Sequence, residues 1–370
     1  MKAERKKIYL MRPFVGEEEL EAVRKVFESK YLTEGPVTQE FEEKFAEYVG
    51  AKRGVAVTSC AIGMELALQV LGIGPGDEVI VPDFTHPATG DCICQVGASP
   101  ILVDVDLESY NITAEAIEDA ITERTKCIIP VSWGGNPLDT EIYKLGEEHN
   151  IPILEDAACS VGAMIGDKKV GSLADMSVFS FHPRKVMTTG EGGMLTTDSD
   201  EFAEKAQSLK KFGVNREGRF VYHGTNYKMS NIVAAIGLEQ LKKLDKILED
   251  RIEKAKRYTE LLEGLDHIRP PTVKPNVRHT FQSYCIYVER EGWRDKLRQD
   301  LLKKGIETQI GTYALHLEPS YADVKRSGDL KNSEKLYKNL LTLPLHHELT
   351  YEDQEYITKS ISEFIKNRRR

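Results

Sequence analysis

The first two-thirds of the chain alternates short apolar runs with amphipathic segments. The runs "GVAVTS", "DEVIVP", "ASPILVDVD", "KCIIPVSW", "IPILEDAA" and "DMSVFSFH" predict short strands buried on both faces. Between them, "CAIGMELALQVLGI", "TAEAIEDAITERT" (Thr113 near its start) and "TEIYKLGEEHN" carry the helical period. "GGMLTT" predicts a further strand running away from the turn before it. Strands alternating with helices of this length predict an α/β fold, a mostly parallel sheet between two helical layers. Upstream, "GEEELEAVRKVFESKY" and "TQEFEEKFAEYVGA" predict helices separated by "LTEGP", with Thr38 capping the second. A long charged helix follows from about Ser230 to Leu265, longer than most globular helices and suited to bridging two domains. After the proline-rich "HIRPPTVKPNVRHTF", read as linker, come the strand "QSYCIYVE" and the helices "WRDKLRQDLLKKG", "KNSEKLYKNLLTLP" and "TYEDQEYITKSISEFIKN". These predict a smaller C-terminal α+β domain over 251–370 beside a large domain over 1–250.

Composition narrows the function. The 370 residues are 41% hydrophobic and 29% charged, as in an ordinary globular enzyme. A formal charge of -9 argues against a general nucleic-acid binder, which needs a basic footprint. No apolar run has the length of a membrane span, and the start lacks a signal-like apolar stretch, so a cytoplasmic location is expected. The six cysteines are too sparse for a disulfide scaffold, and Cys92 and Cys94 lack metal-ligand spacing; free thiols and no metal are expected.

Ligands of parallel sheets sit beyond the strands' C-terminal ends. Those ends carry Thr58-Ser59, Pro82, Asp156 and the stretch from Ser180 to Lys185. In "VTSCAIG", backbone N–H groups and the Ser59 hydroxyl at a helix start suit a phosphate, with Ser180 as a second contact. The turn has neither the Walker nor the dinucleotide glycine pattern. Asp156 reads either as a helix cap or as a fixed negative charge for a cationic heterocycle. Lys185, in "FHPRKVMTTGEGG", reads as a surface lysine or as an amine whose pKa burial lowers, able to hold a carbonyl cofactor. Phosphate pocket, acid and amine together match the needs of pyridoxal 5'-phosphate (PLP).

The segments "TSCAIGMELALQVLGIGPGDEVIVPDFTHPAT", "ILEDAACSVGA", "GSLADMSVFSFHPRKVMTTGEGGMLTTD", "GTNYKMSNIVAAIGLEQL" and "LTLPLHHELT" follow in an order that resembles the DegT/StrS aminotransferases, over nearly the whole chain. The resemblance implies the aspartate-aminotransferase-like PLP fold-type I and a homodimer with shared active sites. It implies PLP, with pyridoxamine phosphate as its amino-carrying form, and transfer from L-glutamate to a nucleotide-diphosphate keto sugar. By this resemblance Lys185 matches the lysine that holds the cofactor and Asp156 the partner of its ring nitrogen. Ser59, Cys60, Ala61 and Ser180 match phosphate contacts, and Asn226 a contact to the neighbouring subunit's cofactor. His86 stands where an aromatic ring stacks, and Cys159 where glutamine is common near the phenolic oxygen. Arg219, His223 and His316 fall in segments that resemble substrate contacts. Thr225, where tyrosine is usual, and Trp133 hint at an unusual sugar subsite. The run "SLKKFGVNREGR" offers Lys210, Lys211, Arg216 and Arg219 for a diphosphate. Alternatives are an aminotransferase of a free cyclic ketone such as a keto-inositol, a dehydratase using the same cofactor, and a non-catalytic PLP-binding relative. The lysine at 185 favours transamination, because a dehydrating branch carries histidine there.

Overall fold

A computed structural model describes residues 7–368. Two ladders joined by the bridges Ile128 to Ile153 and Val131 to Asp156 make one continuous sheet. Its strands run in the order Lys325–Ser327, Ser99–Val103, Glu78–Pro82, Thr125–Ile128, Leu154–Asp156, Met176–Ser180, Gly193–Thr197, Arg53–Val57. Neighbours are parallel except at Gly193–Thr197, antiparallel to both of its partners. The reason is the connection: no helix lies between Ser180 and Gly193, and without a crossover the chain can only turn back. That turn carries Lys185.

Both faces of the sheet are buried, as continuous apolar runs require. Val55, Val57, Val178 and Leu195 pack with the helix Cys60–Leu71 on one side. Ala56, Phe179 and Met194 pack with the helix Pro36–Val49 and the first half of the helix Asn231–Leu262 on the other. This long helix then continues into a second core, where Ala255, Tyr258 and Leu262 meet Trp293, Ile357 and Phe364. That core lies on an antiparallel sheet ordered Ile268–Arg269, Tyr284–Val288, Leu340–Leu343, Gln309–Ile310. Arg251 stands at the passage between the cores, and its guanidinium donates to Phe281 O, Gln282 O and Leu345 O.

Several expectations are corrected. Thr38 is no cap: Pro36 starts its helix with Gly35 at the N-cap, and the buried Thr38 hydroxyl donates to Asn231 Oδ1 at 3.0 Å. "KNSEKLYKNLLTLP" is not one helix: Lys331–Asn339 is helical, but Leu340–Leu343 is drawn into pairing with Tyr284–Val288. The "linker" contains the strands Ile268–Arg269 and Val277–Arg278, the latter paired with Met164–Ile165. Pro87–Gln95 forms a helix that the period did not reveal, opened by Pro87 and capped by His86. A division at residue 250 is crossed twice, since Ile8 packs in the second core while Lys325–Ser327 joins the large sheet. No helix among the described residues is long and apolar enough to cross a membrane.

Glu155 gives this core a pH dependence. It is fully buried, with Oε2 accepting from Tyr143 OH at 3.0 Å and Oε1 without a partner. Burial pushes its pKa up from 4.5 to about 7. An acid with a raised folded-state pKa loses stability as pH rises, because the unfolded chain releases its proton first. Glu155→Gln is therefore expected to stabilise the protein by about 1–3 kcal/mol at pH 8 and by little at pH 5. Urea melts at the two pH values check this; equal shifts at both would contradict it.

Candidate active site

A cavity of about 1420 Å³ opens at the C-terminal ends of the parallel strands. Ser59, Cys60, Ala61, His86, Asp156, Cys159, Ser180 and Lys185 all line it, so the cluster read from the sequence is brought together. Ser59, in extended conformation, caps the helix Cys60–Leu71 by accepting from Ile62 N at 3.2 Å. This helix start lies directly over Gly193, where a Cβ would fall 2.7 Å from Cys60 N. Only glycine allows that approach, which sets the partial positive end of the helix at the cavity wall. Ser180 Oγ accepts a long bond of 3.4 Å from His182 N.

Asp156 ends its strand and caps no helix, since turns follow it. Its carboxylate is 5% exposed and accepts from Thr89 Oγ1 at 2.8 Å and Ala158 N at 3.1 Å, with Cys60 Sγ at 3.9 Å. Among the described residues it forms no salt bridge, so a buried carboxylate meets only neutral donors. Such a group is costly unless a cation completes it. Thr89 is the residue that sequence reasoning missed. It is fixed by Thr85 Oγ1 at 2.9 Å.

Lys185 sits in a turn, with its N–H bonded to His182 O at 2.8 Å. The loop is closed at its ends by Phe181 N to Gly192 O at 2.9 Å and held from outside by Gln282 Nε2 to Arg184 O at 2.7 Å. The Lys185 amine donates to Cys159 Sγ at 3.2 Å. Burial pulls its pKa down, but Cys159, Asp156 and Cys60 push it up further, leaving it above the ordinary lysine value. The expected lowering is thus reversed by its sulfur and carboxylate neighbours. His86 accepts from Ala88 N through Nδ1 at 3.2 Å and meets Tyr313 edge-on. Burial and the charge of Lys185 hold its pKa below the histidine range. Trp133 lines the cavity, fixed edge-on by Tyr110.

Other candidates lie elsewhere. His316 does not line the cavity; its Nδ1 and backbone N–H clamp the buried Asp83 at 2.7 and 2.8 Å. Lys210 cannot meet substrate: it is fully buried, 2.7 Å from Glu42 and 3.3 Å from Glu34. Lys211 pairs with Glu34 at 2.9 Å and Arg216 with Glu204. Arg219, His223, Thr225 and Asn226 are exposed on an excursion outside the cavity, beside the exposed Phe212, Phe220, Val221 and Tyr222. Arg184 and Arg298 are the arginines that do line the cavity.

A parallel sheet with one reversed strand, a smaller α+β layer, and an amine and a buried acid sharing one cavity define a PLP-dependent aminotransferase of fold-type I. The chain belongs to the DegT/DnrJ/EryC1/StrS aminotransferase family, whose sequence model matches residues 13–362. It is similar to GDP-perosamine synthase of Caulobacter vibrioides, 39% identical over 333 residues, covering 88% of this chain and 89% of that protein. The crystal structure of the aminotransferase TlmJ from Streptoalloteichus hindustanus superposes with a TM-score of 0.93 at 32% identity, covering 98% of this chain and 100% of that one. The PLP-form of Spr1654 from Streptococcus pneumoniae, described as a sugar aminotransferase, gives 0.92 at 30% identity, covering 98% and 99%.

Proposed function

We propose that this protein uses PLP to transfer an amino group from L-glutamate to a keto sugar carried on a nucleoside diphosphate. The observation that carries the reading is a buried Asp156, free of salt bridges among the described residues, lining one cavity with Lys185 and with the start of the helix Cys60–Leu71. Those residues fit the cofactor. Ser59, Cys60, Ala61 and Ser180 would receive its phosphate, His86 one ring face, and Cys159 the neighbourhood of its phenolic oxygen. Asp156 would face the ring nitrogen and supply the counter-charge to a protonated pyridine.

When bound, the cofactor supplies the electron sink that stabilises a carbanion at the donor's Cα. The chain's part is proton handling and orientation. Lys185 would take the proton from the donor's Cα and hold it at Nζ, and in the second half-reaction the same amine would return a proton to the sugar carbon that receives the amino group. Thr89 and Ala158 hold the Asp156 carboxylate in register throughout. Arg184 and Arg298, at the cavity, replace Lys210 and Lys211 as the proposed diphosphate contacts. Asn226, with the exposed aromatic residues around it, would reach the cavity of a second copy, which favours a homodimer with shared sites. GDP-perosamine synthase, the similar protein named for a nucleotide sugar, supports the substrate class.

Borohydride treatment of PLP-loaded protein, with and without prior L-glutamate, tests the reading. A cofactor fixed to Lys185 that vanishes after glutamate is expected, followed by turnover with a panel of nucleotide-linked keto sugars. No adduct on Lys185 would sink the cofactor assignment. An adduct indifferent to glutamate would sink the donor.

A further inference from the structure

We propose that Cys159 and Lys185 form an oxidation site: in the cofactor-free protein, hydrogen peroxide joins Cys159 Sγ to Lys185 Nζ as a sulfenamide. The two atoms already touch at 3.2 Å, the amine donating to the sulfur. Both line the large cavity, and Cys159 is half-buried there, within reach of a small oxidant. Of the other thiols, Cys92, Cys127 and Cys285 are buried, and Cys94 is exposed but does not line this cavity. Cys60 is buried too, bonded to Asp156 and Val178 O, and burial pushes its pKa well up, so it stays an unreactive thiol.

The chemistry follows from the contact. A cysteine sulfur that peroxide can reach attacks one of its oxygens. The sulfur takes one oxygen and loses two electrons; the other oxygen leaves as water, giving a sulfenic acid. The Lys185 amine reacts in its neutral form, and its nitrogen stands 3.2 Å from the sulfur. A sulfenic acid condenses with a nearby nitrogen. Here the S–N bond forms as the S–O bond breaks, and the hydroxyl departs as water with a proton from nitrogen. One peroxide is consumed, two waters are released, and the protein loses two hydrogens. A reducing thiol reverses the bond by attacking the sulfur.

An amine held in this bond cannot take up PLP, and an amine engaged by PLP cannot form the bond. That consequence rests on the assignment of Lys185 proposed above; the bond itself does not.

The experiment treats cofactor-free protein with equimolar hydrogen peroxide, blocks remaining thiols without reductant, and analyses the proteolytic peptides by mass. Expected is a linked pair containing Cys159 and Lys185, lighter by two hydrogens than the separate peptides. It should disappear with dithiothreitol, in Cys159→Ser, and in PLP-loaded protein. PLP uptake, followed by absorbance, should be lost with peroxide and return with dithiothreitol, while Cys159→Ser keeps its own untreated uptake. Recovery of Cys159 unmodified or as sulfinic acid, with the Lys185 peptide free, overturns the proposal. If the linked pair forms yet PLP uptake persists, the bond stands and the cofactor assignment of Lys185 falls.

Discussion

On the acid–base role proposed for Lys185, Lys185→Ala is expected to lower transamination by about 10²- to 10⁴-fold, the contribution of a positioned acid–base group. The variant should fold, because the removed amine contributes one bond to a half-buried sulfur and its loop is closed by backbone bonds between Phe181 and Gly192. Lys185→Arg separates the proton-transfer role from charge. It keeps the positive group near Asp156, yet its guanidinium stays protonated and should be equally inactive. Added small primary amines should restore part of the Lys185→Ala rate by carrying the proton from solution. Single-turnover absorbance with glutamate reads this directly. A Lys185→Arg variant within ten-fold of the parent would mean that electrostatics, not proton transfer, is the lysine's contribution.

Lys210→Met is expected to cost about 3–5 kcal/mol of stability, the typical effect of breaking a buried ion pair from one side. Lys210 is fully buried and reaches Glu42 Oε1 at 2.7 Å, Ala56 O at 3.1 Å and Glu34 at 3.3 Å. Glu42 also accepts from Ala56 N and Gln207, so it ties the helix Pro36–Val49 to the strand Arg53–Val57. Without the amine, the buried Glu42 carboxylate loses its ion-pair partner. The double variant Lys210→Met, Glu42→Gln should recover much of the loss, since the amide still accepts from Ala56 N. Denaturant melts of the three variants decide it. A double variant as unstable as Lys210→Met would show that packing, not charge, fixes this cluster.

Much of the candidate site's clustering was legible because it hangs from strand ends. Asp156 and Lys185 follow apolar runs whose direction a parallel sheet fixes, so both had to reach one edge. Thr89 was not legible, because its partnership with Asp156 depends on a helix start beside a different strand. Lys210 looked like a member of a basic surface run; only the fold brings Glu42 and Glu34 over it. His316 similarly reads as a ligand contact until Asp83 is placed against its ring. Leu340–Leu343 continues a helical pattern in sequence, and its pairing with Tyr284–Val288 overrides that local preference.

The helix Asn231–Leu262 supplies side chains to two cores along a single uninterrupted rod. A break in either core withdraws support from the same rod. The two cores are therefore expected to melt together, and a swing of one against the other would have to bend the helix near Arg251. Local damage on one side of the molecule is felt on the other as a mechanical load.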